Sequence, residues 1–179
     1  MIRLAGYTTG SFDRGQPLWF EALWMAVKCL FFLTPVPWPS GFRVALLRAF
    51  GAQIGRGVIV RAQVNVTFPW RLSVGDDVWI GEEVIILSLA PVTLESNVCL
   101  SQRAFLCTGS HDFRAPTFDL VVKPITVRAG SWIAAQVFVA PGVEIGAESM
   151  VAAGSVVLEN VPPKSLVQGN PAKVVKRFD

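Results

Sequence analysis

A parallel β-helix is the fold this sequence predicts, on two observations: a six-residue aliphatic beat, and insertions that fall only after every third beat. Ile, Leu or Val recurs at Ile54, Val60 and Val66, at Val74, Ile80 and Ile86, and at Leu94, Leu100 and Leu106. The beat resumes at Val127, Ile133 and Val139, then at Ile145, Val151 and Val157. The residue four places after each is small or β-branched at every repeat but one, where Trp70 stands. A period of six suits neither the 3.6-residue turn of a helix nor the alternation of a flat sheet. It is the hexapeptide signature of a β-helix, in which three hexapeptides close one triangular coil.

The beat justifies the elements in order. Residues 1–53 precede it and read as an N-terminal helical, apolar extension. Within them 18–33 predict a helix, too short and, with Glu21 and Lys28, too charged to span a bilayer. Leu18, Trp19, Ala22, Leu23, Ala26, Val27, Leu30 and Phe31 fall close to one helical face. Two partners suit that face: the β-helix or a neighbouring subunit, or a bilayer surface with Trp19, Trp24 and Trp38 near the headgroups. Pro35, Pro37 and Pro39 end this helix, and a second is expected over Phe42 to Phe50 with Gly51 as its cap.

Residues 54–161 form the solenoid, about five coils at three hexapeptides each. The first two insertions add two residues each and the third adds fifteen, all at the same corner of the prism. That last excursion, 107–126, holds Gly109, His111, Pro116 and Pro124. A long loop at one corner costs closure entropy and gives no core in return, so the chemistry is expected there. Residues 162–179 are expected to cap the open end: Pro162 and Pro163 stop the strand pattern, Asn170-Pro171 marks a turn, and Lys173 to Phe178 read as a last strand or short helix.

Composition narrows the function. The 179 residues carry a net charge of +3, 16% charged and 52% apolar residues, which describes one folded domain. No Lys or Arg run interleaves with aromatics, so no nucleic-acid partner is expected. Cys29, Cys99 and Cys107 are odd in number and lack metal-like spacing, which argues against a disulfide framework and a zinc site and favours a reducing cytoplasm. The stretch from Met1 to Gly15 lacks the apolar core and cleavage site of a secretory signal.

His111 is the sole histidine, set in Thr108-Gly109-Ser110-His111-Asp112-Phe113 at the root of the long loop. An imidazole there can take a proton from a hydroxyl and later return it. Asp112 and Asp119 are the candidates to orient or charge-pair it. Cys107 reads as a small residue filling a corner rather than as a thiol nucleophile. A single histidine cannot supply the three ligands of a catalytic zinc, so no metal is expected.

These residues resemble the left-handed β-helix acyltransferases, which use acetyl-CoA and assemble as trimers. Within them the chain is similar to the candidate colanic-acid (exopolysaccharide) biosynthesis acetyltransferases. The likeness rests on Phe12-Asp13-Arg14-Gly15, Leu89-Ala90-Pro91-Val92-Thr93, Leu106 to Phe113, and Gly169-Asn170-Pro171-Ala172-Lys173. The resemblance implies that His111 is the general base, that the acceptor hydroxyl attacks the thioester directly, and that backbone N–H groups hold the developing oxyanion. It places the cofactor's pantetheine arm along Ala135 and Ala153 with Trp132 on the same wall, and its phosphates near Lys173 and Lys176, with Arg177 an added candidate.

Two departures follow. Leu158-Glu159 stands where many members have Thr-Lys, and Gly81 where the sugar acetyltransferases have an acceptor-steering Asn; Asn65 and Glu83 are the candidate substitutes. The implied activity is acetyl-CoA-dependent O-acetylation of a sugar hydroxyl, on a free or lipid-linked saccharide in exopolysaccharide biosynthesis, by a homotrimer in the cytoplasm or peripheral at the inner membrane face. Acetylation of a small molecule such as a free sugar or antibiotic remains open, as does a non-catalytic β-helix scaffold. A nucleotide-sugar pyrophosphorylase is not expected, since residues 1–53 are too few for its separate nucleotide-binding domain.

Overall fold

In a computed structural model, which describes residues 4–7, 9, 10 and 12–179, the chain winds into a parallel β-solenoid with three sheet faces. The first face stacks Gln53–Ile54, Leu72–Val74, Val92–Leu94, Ile125–Val127 and Glu144–Ile145. The second stacks Ile59–Val60, Trp79–Ile80, Cys99–Leu100, Trp132–Ile133, Met150–Val151 and Ser165–Gly169, with Ala172–Arg177 added antiparallel at its edge. The third stacks Asn65–Val66, Ile85–Leu87, Phe105–Cys107, Phe138–Val139 and Val156–Val157. The solenoid reaches about six turns, one more than the aliphatic count predicts, because Val161 bridges Ile145 and Ser165–Gly169 adds a sixth parallel strand to the second face.

The beat is the core. Every predicted inward aliphatic except Ile54, on the first rung, is buried. Each such side chain removed from water contributes about 1.5–3 kcal/mol. The residue four places on is also buried at most corners, where it fills the vertex. Serines there bridge coils: Ser131 Oγ donates to the Gly146 carbonyl, Ser149 N–H donates to Ser131 Oγ, and Ser165 N–H donates to Ser149 Oγ. The tight turns put the third residue after the aliphatic in the left-handed region, as at Gln63, Asp77, Glu83 and Gln136.

Helix α1 (Leu18–Phe31) ends where Pro35 would clash with the Phe31 carbonyl, and helix α2 (Ser40–Ala49) follows. α2 starts two residues earlier than expected because Pro39 makes the turn into it. The two helices close the open end of the first coil. Trp24 Nε1 donates to the Val66 carbonyl, Gln63 N–H donates to the Phe32 carbonyl, and Val60 N–H donates to Ser40 Oγ. Buried Arg43 donates to the carbonyls of Phe31, Val36 and Trp38, which satisfies the linker between the helices.

The packing face of α1 corrects the sequence expectation. Phe20, Trp24, Val27, Lys28 and Phe31 face the solenoid and α2, while Leu18, Trp19, Ala22, Leu23, Ala26 and Leu30 are exposed. Periodicity could not choose, because this helix is apolar on both sides. The choice is made by Trp24 and Lys28, whose donors reach the acceptors at the first coil's edge.

Candidate active site

The long loop is rooted by a short polar column at the corner between the third and first faces. Ser88 Oγ exchanges hydrogen bonds with the Phe68 N–H and carbonyl, one coil below. Thr108 repeats the device: its Oγ1 donates to the Leu87 carbonyl at 2.5 Å and accepts from Ala90 N–H at 3.0 Å. The chain then leaves as an antiparallel hairpin, Gly109–His111 against Leu120–Val122, with His111 opposite Leu120. Gly109 lies close under Leu89, whose Cδ1 a Cβ there would meet at 2.8 Å and push aside. The returning strand is held where Arg128 bridges Glu95 and Glu144 and Ala129 N–H donates to Glu95.

His111 is half-buried, and its Nδ1 lies 2.8 Å from the Phe118 carbonyl oxygen. A carbonyl only accepts, so Nδ1 carries the proton and the Nε2 lone pair is left for chemistry. The Phe118 ring stacks on the imidazole, centroids 4.2 Å apart and planes within 2°, and Tyr7 meets its edge at 5.5 Å. Phe118 sits at φ +54°, a conformation costly for a residue with a Cβ. The group in contact with Nδ1 is the Phe118 main chain rather than the Asp112 or Asp119 carboxylate. Asp112 accepts the Arg114 N–H on its side chain and donates its own N–H to the Asp119 carbonyl. Asp119 is exposed and lines an adjoining cavity.

That cavity, about 830 Å³, lies between the loop and an N-terminal strap that runs along the insertion corner. Its walls include Phe12, Asp13, Arg71, Leu89, Pro91, Asp119 and Leu120. The strap is docked by Trp70, whose Nε1 donates to the Arg14 carbonyl, and by Arg71, which donates to the carbonyls of Asp13 and Leu89. Phe12 stacks on Phe68, with the Arg71 guanidinium over both rings. A smaller cleft of about 420 Å³ on the hairpin is lined by His111, Arg114, Lys123 and Pro141.

The expected cofactor wall stands elsewhere. Trp132 projects from the second face and donates from Nε1 to Ser101 Oγ at 2.8 Å. Strand register puts Trp132, Met150, Leu166 and Lys176 in one outward row, about 14 Å long at the usual strand spacing. Ala135 and Ala153 sit on successive coils at the corner where the second face meets the third, with Gly154 N–H donating to the Ala135 carbonyl. These small residues leave room for a chain to lie against the backbone. Lys173 pairs with Glu159 at 3.4 Å, so the departing carboxylate already has a cation, and Arg177 pairs with Ser165 across the terminal hairpin. The corner that carries His111 lies across the prism from the second face, so one chain does not bring His111 and Trp132 together.

Asn65 and Glu83 line neither the cavity beside the strap nor the cleft that holds His111. Asn65 accepts from Lys28 Nζ beneath α1, and Glu83 is paired with Arg103. Cys107 is buried, and burial raises its thiol pKa despite its hydrogen bond to the Gly109 carbonyl, as suits a corner filler rather than a nucleophile. Among the described residues, no three His, Cys, Asp or Glu side chains gather to hold a metal. Sequence reasoning missed Tyr7, Phe118 and Arg71. One signal pointed to the strap: Trp70 was the single large residue in the small-residue register.

No family model matches the chain. It is 38% identical over 176 residues to the candidate colanic acid biosynthesis acetyltransferase WcaF of Escherichia coli (strain K12), covering 98% of this chain and 97% of that one. Among solved structures it superposes with a TM-score of 0.83 on a hexapeptide-repeat containing acetyltransferase from Vibrio cholerae O1 biovar eltor complexed with acetyl coenzyme A. The two are 27% identical, with full coverage of both chains. A maltose O-acetyltransferase from Clostridium difficile 630, 23% identical over 90% of this chain and 88% of its own, shares the fold with a TM-score of 0.77.

Proposed function

The chain belongs to the hexapeptide-repeat acetyltransferases, with the colanic acid biosynthesis acetyltransferases, and from that footing we propose that it moves the acetyl group of acetyl-CoA to a sugar hydroxyl. The observation that carries this reading is the His111 Nδ1 contact with the Phe118 carbonyl, which leaves Nε2 free as a base. In the reaction, Nε2 takes the proton of the acceptor hydroxyl as its oxygen attacks the thioester carbonyl. The C–S bond then breaks, the departing thiolate takes the proton from His111, and the products are the O-acetyl ester and free coenzyme A. General base catalysis of this kind contributes about 10²–10⁴-fold. The acceptor occupies the cleft on the hairpin that His111 itself lines, where Asp112, Arg114 and Lys123 offer polar contacts beside Phe113 and Pro141. In exopolysaccharide biosynthesis that acceptor is a saccharide, free or lipid-linked.

The donor fits the row from Trp132 to Lys176, with Ala135 and Ala153 as the close-approach positions and Lys173, Lys176 and Arg177 as the phosphate end. This wall is across the prism from His111, so the complete site takes the loop of one chain and the second face of another. A closed homotrimer satisfies that requirement for every copy.

Replacement of His111 by Ala tests the reading. Thiol release with a panel of saccharide acceptors should fall at least 100-fold, while coenzyme A affinity measured by calorimetry stays within about twofold. Near-normal kcat in this variant would sink the mechanism. Light scattering on the active species tests the assembly, since full activity in a monomer is incompatible with a shared site.

A further inference from the structure

Helix α1 is inside out. Its two charged residues, Glu21 and Lys28, lie on or beside the packed side: Lys28 is buried against Asn65, and Glu21 is paired with Arg14. All eight of its exposed residues are apolar. Leu18, Trp19, Leu23, Met25 and Leu30, with Leu33 just beyond, are 38–70% exposed. The buried donors of Trp24 and Lys28 pin the opposite face to the first coil, so this face cannot roll inward.

Charge is arranged to match. Residues 1–75, the helical cap and first coil, hold eight of the 16 Lys and Arg but only two of the 13 Asp and Glu, a net +6, whereas the remainder is net −3. Arg56 and Arg61 on the first coil are exposed but paired with Asp76 and Glu82, whereas Arg48, exposed at the end of α2, donates only to the Ile54 and Gly55 carbonyls and keeps its charge. A second copy is the weaker occupant: a helix of 14 residues is about 21 Å long and 10 Å wide, roughly 200 Å² of projected face, well below the ~800 Å² per partner of a stable dimer. Among the described residues no helix is long and apolar enough to cross a membrane.

We infer that the exposed face of α1 is a docking surface for an anionic lipid bilayer, on which the solenoid stands by its capped N-terminal end. The apolar face enters the headgroup boundary, and the net positive charge of the cap, Arg48 included, favours anionic headgroups. The loop with His111 leaves from the third coil, two strand spacings or roughly 10 Å above the first. A saccharide projecting from the same bilayer lies within that reach.

The full chain should float with vesicles of phosphatidylglycerol and phosphatidylethanolamine, bind phosphatidylcholine vesicles at least tenfold more weakly, and release from the anionic ones as salt is raised. Cys29, on the exposed face, gives a local probe: an environment-sensitive dye attached there should shift to the blue on anionic vesicles. Leu23→Glu with Leu30→Glu, both exposed and so harmless to folding by circular dichroism, should cut vesicle binding at least tenfold and leave coenzyme A release with a soluble acceptor unchanged. Equal binding by this double variant, or no binding of the parent to anionic vesicles at low salt, would overturn the inference. So would a loss of oligomer mass in the double variant without loss of vesicle binding, which would make the face a protein contact.

Discussion

Phe118 offers the sharpest test of how the candidate site is built. Its carbonyl holds the imidazole's Nδ1 proton and its ring lies flat on the imidazole, so backbone and side chain act on the same group. Phe118→Ala keeps the carbonyl and removes the stack. An aromatic pair of this kind contributes about 0.5–1.5 kcal/mol beyond area burial. If the stack holds the ring in its reactive pose, losing it should lower kcat about 2- to 12-fold, at about 1.4 kcal/mol per factor of ten. Phe118→Gly removes the same ring but also relieves the positive φ, for which a side chain costs roughly 1 kcal/mol. The glycine variant should therefore melt at or above the alanine variant while losing at least as much activity. The assay is steady-state coenzyme A release at saturating donor, with melting followed by circular dichroism. Wild-type kcat in Phe118→Ala would show that the stacked ring does not hold the base. A loss as deep as that of His111→Ala, with a lowered melting point, would mean the loop collapses and the positioning argument fails.

Three further outcomes are expected. Trp24→Phe leaves the Val66 carbonyl at the first coil's edge without its donor, so the unfolding midpoint in urea should report a loss of about 1–3 kcal/mol with an unchanged slope; an unchanged midpoint would show that the cap needs no hydrogen bond there. Lys28 has its pKa lowered, chiefly by burial, so the unfolded chain holds that proton more tightly. Stability should rise with pH as the solution climbs from the lowered value towards the usual lysine range; Lys28→Met should remove this rise and add on the order of 1 kcal/mol at neutral pH, and a destabilised variant would refute it. Glu95 has its pKa lowered, first by the Arg128 hydrogen bond and then by the Ala129 N–H. Its contribution is present above the usual glutamate range and lost as pH falls through the lowered value, so Glu95→Gln should flatten the acid limb of a melting-temperature profile; an unaltered limb would rule the clamp out.

The solenoid was legible because its cause is local and repeated. Each hexapeptide carries its own inward aliphatic and its own corner, so Val60, Ile80, Leu100 and Ile133 announce one face without reference to anything distant. The insertions were legible for the same reason: extra residues can leave only where a corner opens. His111 could be singled out because no other imidazole competes with it. The orienting contact could not, since it is a main-chain carbonyl seven residues on, and every residue has one. The strap was equally hidden. Tyr7 and Arg14 meet partners separated by 50 residues or more, and only Trp70 hinted at the docking.

The chain's order of residues by itself determined the triangular coil, the corner from which the loop departs and the histidine that loop carries, because periodic burial is written into consecutive residues. The tertiary structure alone decided which side of α1 turns to solvent, which atom meets the imidazole and that the row from Trp132 to Lys176 stands across the prism from it. Those outcomes depend on where buried donors find acceptors and on how coils stack, and both are settled by atoms far apart in the sequence.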